Sequence, residues 1–398
     1  MVDQFNQITD RKDTNSVKWD HREEVFGKEE LLPMWVADAD WPTAKPIVKG
    51  LKSRVNHGIF GYTRPGKEHD QAIISWLKKT QGLEVKSDWI VHGNGVVPSI
   101  SIAIQAFAGK GKGVILQPPV YYPFYSTVEN NDAEVVNNQL IYRDGIYEMD
   151  FSDLREKLSK RGKEIDLLVL CSPHNPVGRV WKREELSQLF TICHERKVIV
   201  ISDEIHADFV FSNHSHTPFF SLGDETKNNS IILNSPSKTF NIAGLQTSYA
   251  LIPNEKMREE FREAGGRLLK SGNLLGLEAL KLAYTNSEKW FEKQHQTLRT
   301  NIEYATNYFE HRVPLINPVP LEGTYLLWLD CRRLKESVQD LNQFFVERAQ
   351  VGLDPGEWFG PGGEGFMRLN VACPQSLLHR GLNRIKKAVE QIASQKQT

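Results

Sequence analysis

Four short apolar runs, each rich in β-branched residues and bounded by turn formers, stand out in the first two thirds of the chain. They are Val114–Leu116, Leu167–Cys171, Val198–Ile201 and Ser230–Leu233. Runs that are apolar on both faces are typical of the buried strands of a parallel sheet. Between them, apolar residues recur every three or four positions in Glu184–Arg196, which predicts a helix. This alternation of strands and helices predicts a doubly wound α/β fold.

The pattern changes after about Leu275. A long amphipathic helix, a strand and two more helices follow, with the clearest segments at Glu288–His311, Thr324–Leu329 and Leu377–Ala393. We therefore predict a large α/β domain over residues 50–285. A smaller α+β domain is predicted from residues 1–49 together with 286–398.

Composition and charge narrow the function. The chain has 398 residues with 49 basic and 50 acidic side chains, so its formal net charge is −1. Binding to nucleic acid or to an anionic membrane surface needs a basic excess, so we expect neither partner. The uncharged stretch Gly93–Gly109 carries several polar residues, which favours a buried helix over a membrane span.

The four cysteines are far apart and have no histidine cluster beside them. This spacing predicts neither a metal site nor a disulfide framework, and it favours a reducing compartment. The polar segment Met1–Ser16 lacks the apolar stretch of a signal peptide. We therefore expect a cytoplasmic protein.

Each of the four apolar runs ends in a polar or aromatic cluster. In chain order, the clusters contain Tyr121, then Asn175, then Asp203 and His206, and finally Ser235, Ser237 and Lys238. In open α/β sheets, ligands bind outside the carboxyl ends of the strands. One site can therefore collect an aromatic ring, an amide, a carboxylate and a lysine.

This set of groups matches the needs of pyridoxal phosphate, which takes a lysine for its Schiff base, a carboxylate for its pyridinium nitrogen and a ring to stack on. A glycine-rich turn around Gly95, Val96 and Val97 opens an apolar helix, whose free N–H groups favour a phosphate. Ser235 and Ser237 add hydroxyl donors beside the lysine. The sequence therefore predicts a pyridoxal phosphate site.

The order of these motifs, closed by Arg368-Leu369-Asn370, resembles the fold-type I pyridoxal-phosphate enzymes of the aspartate aminotransferase superfamily. Five further segments resemble the MalY/PatB-type cysteine-S-conjugate and cystathionine β-lyases: Met34–Trp41, His57–Tyr62, Gln117–Tyr121, Ser202–His206 and Gly360–Phe366. The resemblance implies a large, mostly parallel sheet domain and a smaller α+β domain. It also implies a carbon–sulfur lyase that converts L-cystathionine, L-cysteine or cysteine S-conjugates to pyruvate, ammonia and a thiol.

The resemblance also implies roles for the residues that bind the cofactor. Lys238 matches the Schiff-base lysine, which also moves the Cα proton, and Asp203 matches the carboxylate on the pyridinium nitrogen. Tyr121 matches the stacking ring and is a candidate acid for the leaving thiolate. Asn175 matches the amide on the ring hydroxyl. Tyr62 matches a residue that reaches the phosphate from a neighbouring subunit, so we expect a homodimer with shared active sites.

The substrate side is implied in the same way. Arg368 matches the clamp on the substrate carboxylate, with Asn175 beside it. Trp35, Val36 and Ala37 are expected to line the substrate site.

The sequence departs from many aminotransferases at two positions. Gln246 stands where an arginine eight positions after the lysine binds the phosphate. His206 stands where a tyrosine usually lies near the ring hydroxyl, and histidine there agrees with the lyases.

Several alternatives stay open. Asp203 and Glu204 also fit the first turn of a helix, and we keep that interpretation for Glu204. Tyr122 fits a packing aromatic better than a site residue. Arg368 alone also fits a structural ion pair. At the level of function, the alternatives are an aminotransferase on the same scaffold and a regulatory protein that binds a partner.

Overall fold

A computed structural model describes residues 4–211, 213–269, 272–335 and 340–395. The α-helices are α1 (Val17–Asp20), α2 (Arg22–Phe26), α3 (Lys45–His57), α4 (Lys67–Gln81), α5 (Val96–Phe107), α6 (Pro123–Glu129), α7 (Phe151–Arg161), α8 (Arg183–Glu195), α9 (Pro236–Thr239), α10 (Glu255–Gly265), α11 (Leu274–Asn286), α12 (Glu288–Arg312), α13 (Arg332–Lys335), α14 (Leu341–Gln343) and α15 (Gln375–Gln395). No helix of the described residues has the length and apolar content needed to span a membrane.

The strands form one large sheet and one small sheet, with two short pairings beside them. They are β1 (Leu32–Pro33), β2 (Ile90–Gly93), β3 (Gly113–Leu116), β4 (Glu134–Asn137), β5 (Ile141–Arg143), β6 (Ile146–Glu148), β7 (Ile165–Cys171), β8 (Ile199–Asp203), β9 (Ser230–Asn234), β10 (Ser248–Leu251), β11 (Asn317–Pro318), β12 (Leu326–Asp330), β13 (Val351–Gly352), β14 (Asp354–Pro355) and β15 (Phe366–Asn370).

The large sheet has seven strands in the order β2-β10-β9-β8-β7-β3-β4. Strand β10 is antiparallel to both of its neighbours, and the other pairings are parallel. The fold prediction is therefore confirmed, and β3, β7, β8 and β9 are the four predicted runs. The apolar pattern did not reveal β2, β4 and β10, each of which has four residues.

Both faces of the large sheet are covered by packed side chains, which explains why its strands are apolar throughout. Within β3, Ile115 belongs to one core cluster, whereas Val114 and Leu116 belong to the other. Helix α5 packs against β8 and β9 on the second face. Doubly covered parallel sheets place their carboxyl ends at one exposed edge, where loops build a site.

The small sheet has the order β11-β12-β15-β14 and is antiparallel throughout. The N-terminal segment is joined to this part of the chain, because β1 pairs in parallel with β13. The backbone N–H of Asn370 also donates to the carbonyl of Met34. These contacts agree with the predicted small domain, whose boundaries at residues 49 and 286 stay a prediction.

Candidate functional site

The polar residues predicted at the strand ends lie together at the carboxyl edge of the large sheet. Asp203 is the last residue of β8, and Lys238 lies in α9, just after β9. Tyr121 follows β3, and Asn175 follows β7. Electrostatic interactions link Asp203 to both Lys238 and Tyr121, and Asn175 accepts a hydrogen bond from Arg368.

Lys238 is held on the first helical turn after β9. The Ser235 hydroxyl caps this turn by accepting a hydrogen bond from the Ser237 N–H at 3.0 Å. The Lys238 ammonium donates to the Ala37 carbonyl at 2.7 Å. Burial lowers the pKa of Lys238 to about 8, although the Asp38 carboxylate opposes this effect. A lysine with such a pKa has a substantial neutral fraction near pH 8, which makes it a nucleophile and a base.

Asp203 is a buried acid with one donor at its carboxylate. The Ile205 N–H donates to Oδ1 at 3.1 Å, and burial raises the pKa of Asp203 to about 7. Among the residues that the structure describes, no cationic side chain forms an ion pair with it. A protonated ring nitrogen placed there would supply the missing cation.

Arg368 lies in the middle of β15 and is 2% exposed. Its Nη1 donates to Asn175 Oδ1 at 2.9 Å, and its Nη2 donates to the Trp35 carbonyl at 3.3 Å. Its guanidinium also forms an ion pair with Asp354, its cross-strand neighbour on β14. The structural ion pair considered from the sequence is therefore present, and Arg368 also lies beside Asn175.

A backbone strap formed by residues 34–40 lies across the site. The Asn370 amide donates to the carbonyls of Val36 at 2.6 Å and Asp38 at 2.7 Å. The Ala37 carbonyl accepts from Lys238 and, at 3.0 Å, from the Tyr325 hydroxyl. Trp35, Val36 and Ala37 therefore meet the predicted site through their main-chain oxygens. The sequence analysis did not identify Tyr325 or Asp354, because neither belongs to a motif.

The predicted phosphate cradle lies at the start of α5. Gly95 precedes the helix with φ 149°, a conformation that favours glycine, and its N–H donates to the Ser248 hydroxyl at 2.9 Å. The N–H groups of Val96 and Val97 lie in the first turn, where no intrahelical acceptor exists. An anion is stabilised at such a helix start.

The other side of the cradle lies near Ser235. The Ser235 hydroxyl donates to the Thr247 carbonyl at 2.6 Å. The hydroxyl of Thr247 is buried and has no hydrogen-bond partner in the part of the chain that the structure describes. Gln246, where many aminotransferases carry an arginine, adopts φ 46°. Ser237 is half-buried beside Lys238.

His206 and Tyr121 are the remaining predicted residues beside Lys238 and Asp203. His206 is buried, and its Nδ1 finds no hydrogen-bond partner in the described ranges of the chain. Burial and the charges of Lys238 and Arg368 hold the pKa of His206 well below its usual value, so the imidazole is neutral. Burial raises the pKa of Tyr121, which keeps its hydroxyl protonated. Tyr122 packs edge-on against Trp358 and Phe359, in agreement with its interpretation as a packing aromatic.

Glu204 is not a helix cap, so the interpretation that we kept open for it is wrong. No helix begins after β8 at this point, and Glu204 is buried. Its carboxylate accepts hydrogen bonds from Ser202 Oγ, from the Phe219 N–H and, at 2.9 Å, from His216 Nε2. Glu204 therefore anchors the segment around His216. Separately, the described residues contain no group of metal-ligating side chains that could hold an ion.

Tyr62 lies apart from these groups. Its side chain is fully exposed, in a segment without helix or strand, and Ile59 and Phe60 beside it are 65% and 60% exposed. The role of Tyr62 in a neighbouring subunit's site stays a prediction.

The donor set fits pyridoxal phosphate. Lys238 supplies a partly buried amine and Asp203 a buried acid. Within the part of the chain that the structure describes, Asp203 has no ion-pair partner, and His206 and Thr247 carry buried polar atoms without hydrogen-bond partners. The start of α5 supplies free N–H groups for an anion.

Comparisons with known proteins agree with this site. The sequence profile described as aminotransferase class I and II matches residues 38–385. The chain is 41% identical to cystathionine beta-lyase PatB of Bacillus subtilis (strain 168) over 97% of its own length and 99% of that protein. It is 32% identical to protein MalY of Escherichia coli (strain K12), over 98% and 99% of the two chains.

A solved structure is similar over the same extent. Cystalysin from Treponema denticola, which contains a pyridoxal 5'-phosphate cofactor, superimposes with a TM-score of 0.93 and 34% identity, over 98% of this chain and 100% of that one. The family profile covers most of the chain, and the relatives cover nearly all of it. The chain therefore belongs to the aminotransferase class I and II family.

Proposed function

We propose that the chain is a pyridoxal-phosphate-dependent carbon–sulfur β-lyase acting on L-cystathionine, L-cysteine or cysteine S-conjugates, with pyruvate, ammonia and a thiol as products. The observation that carries the proposal is the partly buried Lys238 ammonium, which lies among Asp203, Arg368 and the Ala37 carbonyl. The similarity to cystathionine beta-lyase PatB supports the choice of a lyase.

When bound, the cofactor supplies an electron sink for the pair of electrons left at Cα after its proton is removed. Asp203 would hold the ring nitrogen protonated, since burial leaves its carboxylate in need of a cation. Val96 and Val97 would hold the phosphate through backbone N–H groups, and Ser237 through its hydroxyl. Ser235 would join them by turning its hydroxyl from the Thr247 carbonyl to the phosphate.

Lys238 would move the Cα proton. Its depressed pKa gives a substantial fraction of neutral amine near pH 8, and the neutral form accepts a proton at Nζ. Release from the Ala37 carbonyl frees that nitrogen to face the substrate. Arg368 would bind the substrate carboxylate and so fix the direction of the Cα–H bond.

The departing thiolate needs a proton. Tyr121 is our candidate donor because it lies at the site with a protonated hydroxyl, although burial raises its pKa and makes it a weaker acid. The neutral His206 would contact the cofactor near its ring hydroxyl, in the position predicted from the sequence, together with Asn175.

An aminotransferase would use the same lysine and the same acid, so the products decide between the two reactions. We expect the purified protein to release pyruvate from L-cystathionine without a 2-oxo acid. Production of glutamate only when 2-oxoglutarate is present would contradict the lyase proposal and favour the aminotransferase. Pyruvate and glutamate are measured separately in the same reaction.

We also propose that the protein is a cytoplasmic homodimer whose active sites are shared between subunits. The exposed apolar segment around Ile59, Phe60 and Tyr62 supports this assembly, because such surfaces are usually covered in the native protein.

A further inference from the structure

A fully buried carboxylate beside Arg368 has no part in the reaction described above. Asp354 lies on β14, directly opposite Arg368 on β15, and it is 0% exposed. Arg368 Nε donates to Asp354 Oδ2 at 2.8 Å, and Arg368 Nη2 donates to the same oxygen. The other oxygen, Oδ1, is buried and has no hydrogen-bond partner among the described residues.

The contacts of Arg368 differ between the edges of its planar guanidinium group. Asp354 occupies the edge formed by Nε and Nη2, and Asn175 accepts from Nη1 at 2.9 Å. Nη2 also donates a long 3.3 Å hydrogen bond to the Trp35 carbonyl, and a substrate carboxylate bound at the Nη1/Nη2 end would replace this weak contact. A carboxylate binds an arginine in bidentate fashion through two parallel N–H groups of one edge. With the side edge taken, a substrate carboxylate can be bidentate only at the Nη1/Nη2 end.

The plane of the guanidinium is fixed as well. The Arg368 guanidinium carbon lies 4.8 Å from the centre of the Phe359 ring, and Asp354 holds one edge from the neighbouring strand. A flexible arginine side chain loses considerable conformational freedom when it binds a ligand, and a side chain that is already fixed loses less. Asp354 therefore both orients the group and reduces this cost.

We propose that Asp354 is a positioning residue that holds Arg368 so that its Nη1/Nη2 end receives the α-carboxylate of the amino-acid substrate. This inference rests on the carboxylate-binding role of Arg368 in the proposed function. Asp354 does not touch the substrate, so its effect is exerted through Arg368 alone.

The ion pair also has a simpler interpretation, in which Asp354 only stabilises the buried arginine. The two interpretations differ in what they predict for ligand binding. A stabilising pair affects unfolding, whereas a positioning residue also affects the affinity for an amino acid carboxylate.

The test is titration of the holoenzyme with L-alanine, followed by the change in cofactor absorbance. L-Alanine carries an α-carboxylate but no sulfur leaving group, so its binding is measured whether or not the protein is a lyase. We expect Asp354→Ala to raise the Kd for L-alanine by about ten-fold, since one fixed edge of the fork is lost. Asp354→Asn retains an acceptor oxygen for Arg368 and should raise the Kd by about three-fold.

The matched control is Asp330→Ala. Asp330 lies on β12 of the same small sheet and pairs with Arg332 at 2.7 Å, away from Arg368. Thermal unfolding of all variants is recorded with the titration. The control should lower the midpoint of unfolding without changing the Kd for L-alanine.

A double-mutant cycle tests whether Asp354 changes the Kd for L-alanine through Arg368. Once Arg368→Ala has removed the carboxylate clamp, adding Asp354→Ala should raise the Kd no further. If the two substitutions raise the Kd for L-alanine independently, so that their fold-changes multiply in the double variant, the inference is overturned. An unchanged Kd in Asp354→Ala would overturn it as well. If Asp354→Ala does not fold, Asp354→Asn decides, and an unchanged Kd in that variant would overturn the inference. An unchanged Kd in Arg368→Ala would instead contradict the carboxylate-binding role in the proposed function.

Discussion

Burial moves the pKa values of Lys238 and Asp203 towards each other. The pKa of Lys238 falls from 10.5 to about 8, and that of Asp203 rises from 3.8 to about 7. Each group loses hydration of its charged form, which outweighs the attraction between the two charges. Asp203 is buried and Lys238 partly buried without the cofactor that would interact with them. Their lost hydration therefore lowers the stability of the cofactor-free protein.

The pH dependence of stability should reveal this cost. Between pH 4 and pH 7 the folded protein keeps a proton on Asp203 that the unfolded chain has lost, so its contribution to stability falls as the pH rises. Removal of this acid should therefore stabilise the cofactor-free protein increasingly over that range. We expect Asp203→Asn to raise the free energy of unfolding by on the order of 1–3 kcal/mol more at pH 8 than at pH 4.

Lys238→Met provides the opposite control. Between pH 8 and pH 10.5 the unfolded chain holds a proton that folded Lys238 lacks, so the lysine's penalty diminishes as the pH rises. The stabilisation from Lys238→Met should therefore shrink above pH 8. Urea unfolding of the cofactor-free variants measures both effects, and a constant difference across pH would contradict the assigned shifts.

Asp203 should also control turnover more than binding. Its negative charge stabilises the protonated ring nitrogen most when electrons leave Cα, which occurs in the transition state. We expect Asp203→Asn to lower kcat by about three powers of ten with a smaller change in KM, and to shift the cofactor absorbance. Steady-state kinetics with L-cystathionine and an absorbance spectrum test this expectation. A large rise in KM with kcat unchanged would assign Asp203 to ground-state binding instead.

At the level of elements, the start of α5 depends on Gly95. A side chain there would require a strained backbone at φ 149°, and its Cβ would approach Pro98 Cδ at 3.1 Å. The resulting shift would displace the Val96 and Val97 N–H groups from the phosphate. We expect Gly95→Ala to raise the Kd for pyridoxal phosphate by about ten-fold, as measured by equilibrium dialysis with the cofactor-free protein.

Gly223 offers a matched control for backbone strain. It has φ 156° and precedes a short helical turn, but a Cβ there would meet nothing within 4 Å. Gly223→Ala should lower stability by about 1–3 kcal/mol without changing cofactor affinity. Equal effects of the two substitutions on affinity would show that backbone strain, and not the anion cradle, is responsible.

The elements show what can be predicted from this sequence. The four short apolar runs identified β3, β7, β8 and β9, because strands covered on both faces are apolar at consecutive positions. Strands β2 and β10 are as short as β3, but each includes polar residues, His92 in β2 and Ser248 in β10, so neither has a continuous apolar run.

Contacts between distant residues are harder to predict. Asp354 meets Arg368 through strand pairing, and Tyr325 meets Ala37 across 288 positions of sequence. Glu204 was misinterpreted because adjacent acids are common at helix starts, whereas its actual partner His216 lies in an irregular segment. Such pairs depend on the tertiary fold and leave no local pattern.

At the scale of the whole molecule, the segment Ile59–Tyr62 stands out because its large side chains are exposed. Tyr62 is 106% exposed, and Ile59 and Phe60 are more than half exposed, although large apolar side chains elsewhere are mostly buried. In a twofold-symmetric dimer both subunits use the same surface. The segment of each subunit can then reach the active site of the other. We therefore expect the segment to complete the site of a partner subunit.

Mixed dimers test whether the active sites are shared. Tyr62→Phe and Lys238→Ala should each inactivate the homodimer. In a mixed dimer, one site receives both lesions and the other receives neither, so random exchange should restore about a quarter of wild-type activity. Exchange is verified with a different affinity tag on each variant, and activity is measured as pyruvate released from L-cystathionine. Mixed dimers that form but stay inactive would place Tyr62 in the site of its own chain, because each subunit would then carry a lesion that its partner cannot repair.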